Sequence, residues 1–278
     1  MKVSVVTWDA SFRENLHTID AFGPQTGVDV EFIWVDFYDV SELIKEQLSN
    51  YQNCRYLGLG NDPGDSWHLG KCINSGVLAS TGDILIIPDG DIVVGKEFIT
   101  KVVDEMKRYN DIALYFRRYD EPSKTINDES SFTFENLSER CVLTNPTNYA
   151  GCLVLHRALF DRINGFEEHW AFSGPGINGI ETNTRLRNCG ALIKWCEEKI
   201  FHPWHEATGS SATTQEDKRE LAIKSTQYHW ILPYAGIAQS WIVRQRALSL
   251  SSQSSAGECD VILKKLPQEL SRYAQKYY

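Results

Sequence analysis

The stretch from Trp67 to Asp91 constrains the fold most, because it reads as one amphipathic helix feeding one buried strand. Leu69, Cys72, Ile73 and Val77 recur at helical spacing within residues 67–80, which predicts a helix with one face packed on a sheet. The turn Asn61-Asp62-Pro63-Gly64-Asp65-Ser66 leads into it, with Ser66 as the expected N-cap, and Thr81-Gly82 ends it. Asp83-Ile84-Leu85-Ile86-Ile87-Pro88 follows, a near-continuous apolar run of the kind found in strands covered on both faces. Asp89-Gly90-Asp91 then breaks that strand sharply.

The same alternation precedes this unit. Residues 3–7 and 28–35 read as strands, the second ending at Asp36, and 55–59 as a weaker one. Ser11-Phe12-Arg13-Glu14 matches a capping box, with Leu16, Ile19 and Phe22 at helical spacing behind it and Gly23-Pro24 as the stop. Further helices are expected over 41–48 and 96–109. Beyond them, the polar stretch 122–146 reads as excursions from the sheet and 148–156 as a strand. A short helix over 157–163, the turn Asn164-Gly165-Phe166 and a glycine-rich loop at 174–179 follow. A helix over 181–188 is capped by Gly190, and short strands are expected at 191–196 and 199–201. The fold class is therefore α/β, a mostly parallel doubly wound sheet with a helical C-terminal appendage. Residues 1–206 form the main domain, divided into 1–95 and 96–206. Residues 207–278 form a tryptophan-bearing extension with a serine-rich linker at 249–257.

Composition narrows the function classes. The 37 acidic and 28 basic residues give a formal net charge of −9, which argues against nucleic acid as a partner. No apolar run approaches the roughly 20 residues that cross a bilayer, and the amino terminus reads straight into a strand with no signal peptide. A cytoplasmic protein is expected. Its extension, with Trp230, Trp241, Arg244, Arg246, Lys264 and Lys265, is expected to touch the inner face of a membrane or to pack in a homodimer. The seven cysteines include no CxxC pair and are expected to be thiols.

Ligands of open parallel sheets collect at the carboxyl ends of the strands, where Asp9, Asp36 and the pair Asp89/Asp91 fall. Two carboxylates at i and i+2 suit Mg²⁺ or Mn²⁺, and the glycine between them lets the backbone approach a ligand. A divalent cation stabilises the charge of a departing diphosphate. His202-Pro203-Trp204-His205 places two imidazoles near the end of a short strand, and imidazole with carboxylate suits Mn²⁺. Glu181 follows the glycine-rich loop at a helix start and is a candidate general base or acceptor-orienting group. Lys71, Arg185 and Arg187 are candidates to neutralise phosphate, and Trp170 and Trp204 to stack on a sugar ring. The plainer readings are a solvated turn, structural histidines, a helix-end carboxylate and core tryptophans.

Residues 2 to about 206 resemble a GT-A glycosyltransferase of the family-two type. Ser4-Val5-Val6-Thr7 with Glu14-Asn15-Leu16 resembles the opening strand and helix, and Val30-Glu31-Phe32-Ile33-Trp34-Val35-Asp36 the second strand. The run from Lys71 to Asp91 is similar to the family's Asn-x-Gly helix, Gly-Asp strand entry and DxD. Residues 149–157 with Ile163-Asn164-Gly165-Phe166-Glu167-Glu168 resemble the acceptor-side strand and its turn. The resemblance implies transfer of a sugar from a nucleoside diphosphate donor, UDP-linked by preference, to a hydroxyl of a glycan or lipid-linked glycan. Thr7, Asp9 and Asp36 would hold base and ribose, Asp89 ribose or metal, and Asp91 with His202 or His205 the metal. Thr182 stands where many relatives carry the base aspartate, so the role passes to Glu181 in an inverting enzyme. A fainter similarity of Glu181, Arg187 and Cys189-Gly190 to polypeptide GalNAc-transferases leaves retention open. A nucleotidyltransferase is the rival reading, but Thr7-Trp8-Asp9-Ala10-Ser11-Phe12-Arg13 lacks the glycine-rich phosphate loop it would carry. A degenerate nucleotide-sugar-binding module is the other rival, prompted by Thr182 and opposed by the intact Asp89/Asp91 and histidine pair.

Overall fold

A computed structural model describes residues 1–9, 16–25, 28–122, 132–168, 172–174 and 178–205. The elements are β1 (Lys2–Asp9), α1 (Leu16–Phe22), β2 (Asp29–Asp36), α2 (Glu42–Ser49), β3 (Cys54–Gly58), α3 (Leu69–Ala79), β4 (Ile84–Pro88), α4 (Phe98–Met106) and β5 (Ile112–Asp120). After them come α5 (Phe134–Arg140), β6 (Val142–Leu143), β7 (Cys152–His156), α6 (Arg157–Arg162), α7 (Asn178–Asn188) and β8 (Leu192–His202). The sheet runs β3-β2-β1-β4-β7-β5-β6, with β8 also on β5. β3, β2, β1 and β4 are parallel, as are β5 and β8, and β7 is inserted antiparallel between β4 and β5.

Strand alternation divides the core into two layers. Val3, Val5, Phe32, Trp34, Ile84 and Ile86 face α1, α2 and α4. Val6, Ile33, Val35, Leu85 and Ile87 face α3, α6 and α7. On α4 the expected inward residues Phe98, Val102, Val103 and Met106 are buried with Ile99. Each such side chain contributes about 1.5–3 kcal/mol relative to exposure.

Several expectations are corrected. α3 begins at Leu69 after His68 rather than at a Ser66 cap, whereas Ser41 does cap α2, its hydroxyl accepting from the Ile44 amide. The two short strands at 191–196 and 199–201 are one strand, β8, whose register shifts opposite Phe116/Arg118. The stretch 122–146 is not wholly outside the sheet, because β6 pairs with β5. The sequence reading passed over β5, although Ile112-Ala113-Leu114-Tyr115-Phe116 is an apolar run behind Asn110-Asp111. The Ser11 capping box and the extension 207–278 lie outside the described residues. No helix among the described residues is long and apolar enough to cross a membrane, and the six described cysteines are free thiols.

One buried carboxylate ties the first strands together. Glu31 is 9% exposed, and its Oε1 accepts from the Ser4 hydroxyl (2.6 Å), the Thr81 amide (2.6 Å) and the Thr81 hydroxyl (3.0 Å). Its Oε2 meets Arg55 at 3.0 Å and Lys2 at 3.7 Å. Burial alone would raise this carboxyl, but the Ser4 and Thr81 donors, then Lys2, outweigh it and bring it from 4.5 to about 2. A folded-state value below the unfolded one adds stability that is complete above the unfolded value and is lost as pH falls through the folded one. Glu31→Gln is expected to cost about 1–2 kcal/mol at pH 7. The gap in melting temperature between wild type and variant should narrow as pH falls below 4.5; a gap that ignores pH would show that the charge contributes nothing.

Candidate active site

β4 ends at Pro88 and the chain turns through Asp89-Gly90-Asp91. The Thr18 hydroxyl donates to the Gly90 carbonyl at 3.0 Å, and a Cβ on Gly90 would collide with the Trp8 carbonyl oxygen. The close approach of two backbones therefore requires a glycine here. Just beyond, Val93 forms an antiparallel bridge with Phe201, through hydrogen bonds of 2.9 and 3.0 Å. The bridge brings the end of β8 against the acidic turn, so Asp91 and His202 become neighbours although far apart in sequence.

Three groups converge there. Asp91 Oδ2 lies 3.2 Å from His202 Nε2 and 3.3 Å from His205 Nε2, and the two imidazole nitrogens are 3.0 Å apart. These ligand atoms form a cluster able to hold a metal ion. The separations are compatible with an ion: adjacent ligands with bonds of about 2.1 Å stand about 3 Å apart, and mixed imidazole and carboxylate donors suit Mn²⁺ better than Mg²⁺. His202 Nδ1 pairs with Asp120 Oδ1 at 3.0 Å, which places a carboxylate where an outer-shell group orients a ligating imidazole. Burial would depress His202, but the charge of Asp91 and hydrogen bonds to Asp120 and Asp91 overcome it, and the group rises to about 9.

Arg118 reaches two carboxylates, Asp120 Oδ1 at 2.8 Å from its Nε and Asp89 Oδ2 at 3.5 Å from its Nη1. His17 lies close to Asp91, and burial holds it at about 4 against the pull of Asp91, so its imidazole is neutral. The sequence reading missed Arg118, Asp120 and His17. The register pairing of Asp120 with His202 is what brings Asp120 in, and only recognition of β5 would have pointed to it. Beside the turn is a cavity of about 210 Å³, lined by Trp8, Trp67, Tyr149, Asp89, Asp91 and Arg118 among others. Trp8 and Trp67 pack against each other with ring centroids 4.8 Å apart.

The remaining candidates are distributed differently. Thr7 is buried at the end of β1 and its hydroxyl donates to the Pro88 carbonyl at 3.3 Å; Asp9, 4% exposed, closes the same strand. Asp36 is fully buried. Its carboxylate accepts from the amides of Tyr38, Val40 and Ser41 at 3.0, 3.2 and 3.2 Å and from the Tyr56 hydroxyl at 2.7 Å. Three of these donors meet Oδ2 and one meets Oδ1, so Asp36 orders the loop after β2. Lys71 is exposed on the first turn of α3 and does not line the cavity. Trp204 is partly buried, its amide donating to Glu121 Oε2 at 3.0 Å, and it does not line the cavity either. Trp170 lies outside the described residues.

Glu181 is held by an arginine one turn along its own helix. It is 1% exposed and makes a bidentate pair with Arg185, at 2.6 Å to Nε and 2.7 Å to Nη2. Arg185, also 1% exposed, donates in addition to the carbonyls of Ile163 and Gly165. Among the described residues Glu181 faces Arg185 and does not line the cavity, and Arg185 is directed at the turn 163–165. The anchored turn has Asn164 at φ 58° and Gly165 at φ 71°. Asn74 of α3 grips its far side, exchanging 2.8 Å hydrogen bonds with the Phe166 amide and carbonyl.

None of the curated proteins matches the chain. Among solved structures, S. aureus TarS residues 1–349 in complex with UDP-GlcNAc is similar over 100% of this chain and 79% of that one, at TM-score 0.59 and 13% identity. GalNAc-T7 with UDP, GalNAc and Mn²⁺ is similar over 91% of this chain and 58% of that one, at TM-score 0.60 and 13% identity. Both likenesses show the GT-A fold expected from the sequence. The sequence model for glycosyl transferase family 2 matches residues 16–163, which is more than half of the chain and spans α1 through α6. The chain belongs to glycosyl transferase family 2, and it is a glycosyltransferase of GT-A fold.

Proposed function

We propose that the protein transfers a sugar from a UDP-linked donor to a hydroxyl of a glycan or glycolipid acceptor, with Mn²⁺ bound by Asp91, His202 and His205. The observation that carries this reading is the triad of one carboxylate oxygen and two imidazole nitrogens, 3.0–3.3 Å apart, beside a cavity at the carboxyl end of β4. When bound, the ion supplies positive charge for the leaving diphosphate. Thr7 and Asp9 close the strand end at which base and ribose would lie, and Asp36 orders the loop beside it. Asp89, paired with Arg118 and lining the cavity, would contact ribose or metal. Trp8, Trp67 and Tyr149 exclude water from the sugar's cavity. Two similar structures carry UDP with GlcNAc or GalNAc, which supports the UDP-linked class.

The test is a thermal-shift panel of UDP, GDP, CMP and dTDP sugars, with and without Mn²⁺. A UDP-sugar with Mn²⁺ is expected to stabilise the protein by about 2.7 kcal/mol at a hundredfold excess over Kd, with little shift when the ion is withheld. Equal shifts with and without Mn²⁺ would remove the metal from the reading, and a larger shift with another nucleotide would move the donor class.

A further inference from the structure

Residues 132–144 lie between β5 and β7 in the chain, and they supply a support to each histidine of the triad. Glu121, 5% exposed, pairs through Oε1 with Arg140 Nε at 2.7 Å. Its Oε2 accepts from the Trp204 amide at 3.0 Å, and its own amide donates to the His202 carbonyl at 3.0 Å. One residue thus fixes the backbone on both sides of Pro203, in the stretch that carries both imidazoles. Arg140 is the last residue of α5. Directly after it, β6 pairs with β5, Val142 opposite Asp120 and Leu143 opposite Tyr119. That pairing puts the Thr144 hydroxyl on Asp120 Oδ2, while Asp120 Oδ1 holds His202 Nδ1 at 3.0 Å.

We propose that Arg140 with Glu121 and Thr144 with Asp120 are positioning pairs that set His205 and His202 at the separation a metal ion requires, so that the α5–β6 segment governs metal affinity without touching the ion. The inference rests on the metal reading given above. Two nitrogen ligands three residues apart, with a proline between them, keep a 3.0 Å separation only if backbone and rings are both fixed. Glu121 fixes the first and Asp120 the second. Outer-shell changes of this kind cost about 10–100-fold in metal affinity.

The test uses the full chain and Mn²⁺ alone, with affinity from calorimetry and nitrogen couplings from pulsed electron paramagnetic resonance. Thr144 is exposed, so Thr144→Val should fold with an unchanged metal-free melting temperature and bind Mn²⁺ about tenfold more weakly, with Thr144→Ser restoring affinity. The double variant Glu121→Gln/Arg140→Met removes both charges of the buried pair together. It should bind about 10–100-fold more weakly and lose one of two nitrogen couplings. Affinities within twofold of wild type in Thr144→Val and in the double variant would overturn the inference, and should the double variant not fold, Thr144→Val decides alone. A wild-type protein that binds no Mn²⁺ would instead overturn the metal reading itself.

Discussion

Asp91→Ala is expected to lower sugar transfer by about three orders of magnitude, the scale of the several kcal/mol a cation contributes to a transition state. Asp91 Oδ2 is the oxygen that stands 3.2 and 3.3 Å from the two imidazole nitrogens. Without it the two imidazole nitrogens 3.0 Å apart lose the carboxylate oxygen that completes the triad. The pH dependence has a definite sign. His202 is raised to about 9, so at neutral pH the metal-free site carries a proton that the ion must displace. Mn²⁺ affinity of the wild type should therefore tighten about tenfold per pH unit between pH 7 and about 9, and flatten above. In Asp91→Ala the charge that lifts His202 is gone, so the steep range should move toward lower pH. Titrating Mn²⁺ into both proteins at several pH values checks this. A variant that keeps Mn²⁺-dependent transfer within tenfold of wild type would remove Asp91 from the site.

What the sequence made legible was local. The apolar run into Asp89, the α4 face and the ends of β1 and β2 follow from periodicity and turn chemistry, each within a few residues. Carboxylate spacing and the paired imidazoles offered the acidic turn and both histidines as metal candidates, the resemblance implied the same, and the structure brings Asp91, His202 and His205 together. Asp120 and Arg118 stayed hidden because their importance comes from register: β5 pairs with β8 so that Asp120 meets His202, which periodicity does not encode. The contact of Gly90 with the Trp8 backbone on another strand stayed hidden for a related reason. The ion pair of Glu181 was equally hidden, because a helix-start carboxylate looks the same in sequence whether it faces a cavity or an arginine one turn later, and only burial separates the two.

Glu181→Gln is therefore expected to act on stability, at about 3–5 kcal/mol, the cost of leaving one partner of a buried ion pair uncompensated. The pair is bidentate and both residues are 1% exposed. Its arginine closes the Asn164-Gly165 turn through the carbonyls of Ile163 and Gly165. Loosening that turn releases Phe166, which Asn74 grips from α3 and which lines the cavity beside Asp89. Loss of transfer should then follow from loss of folded protein, with both falling over the same range of temperature or denaturant. Replacing the pair together, Glu181→Gln/Arg185→Met, should recover part of the stability, because the uncompensated charge is gone. A base would behave in the opposite way: Glu181→Gln would melt like wild type and lose turnover at saturating donor. That outcome, measured on folded protein with Mn²⁺ present, would return the base role to Glu181 and require the α7 ion pair to open during the reaction.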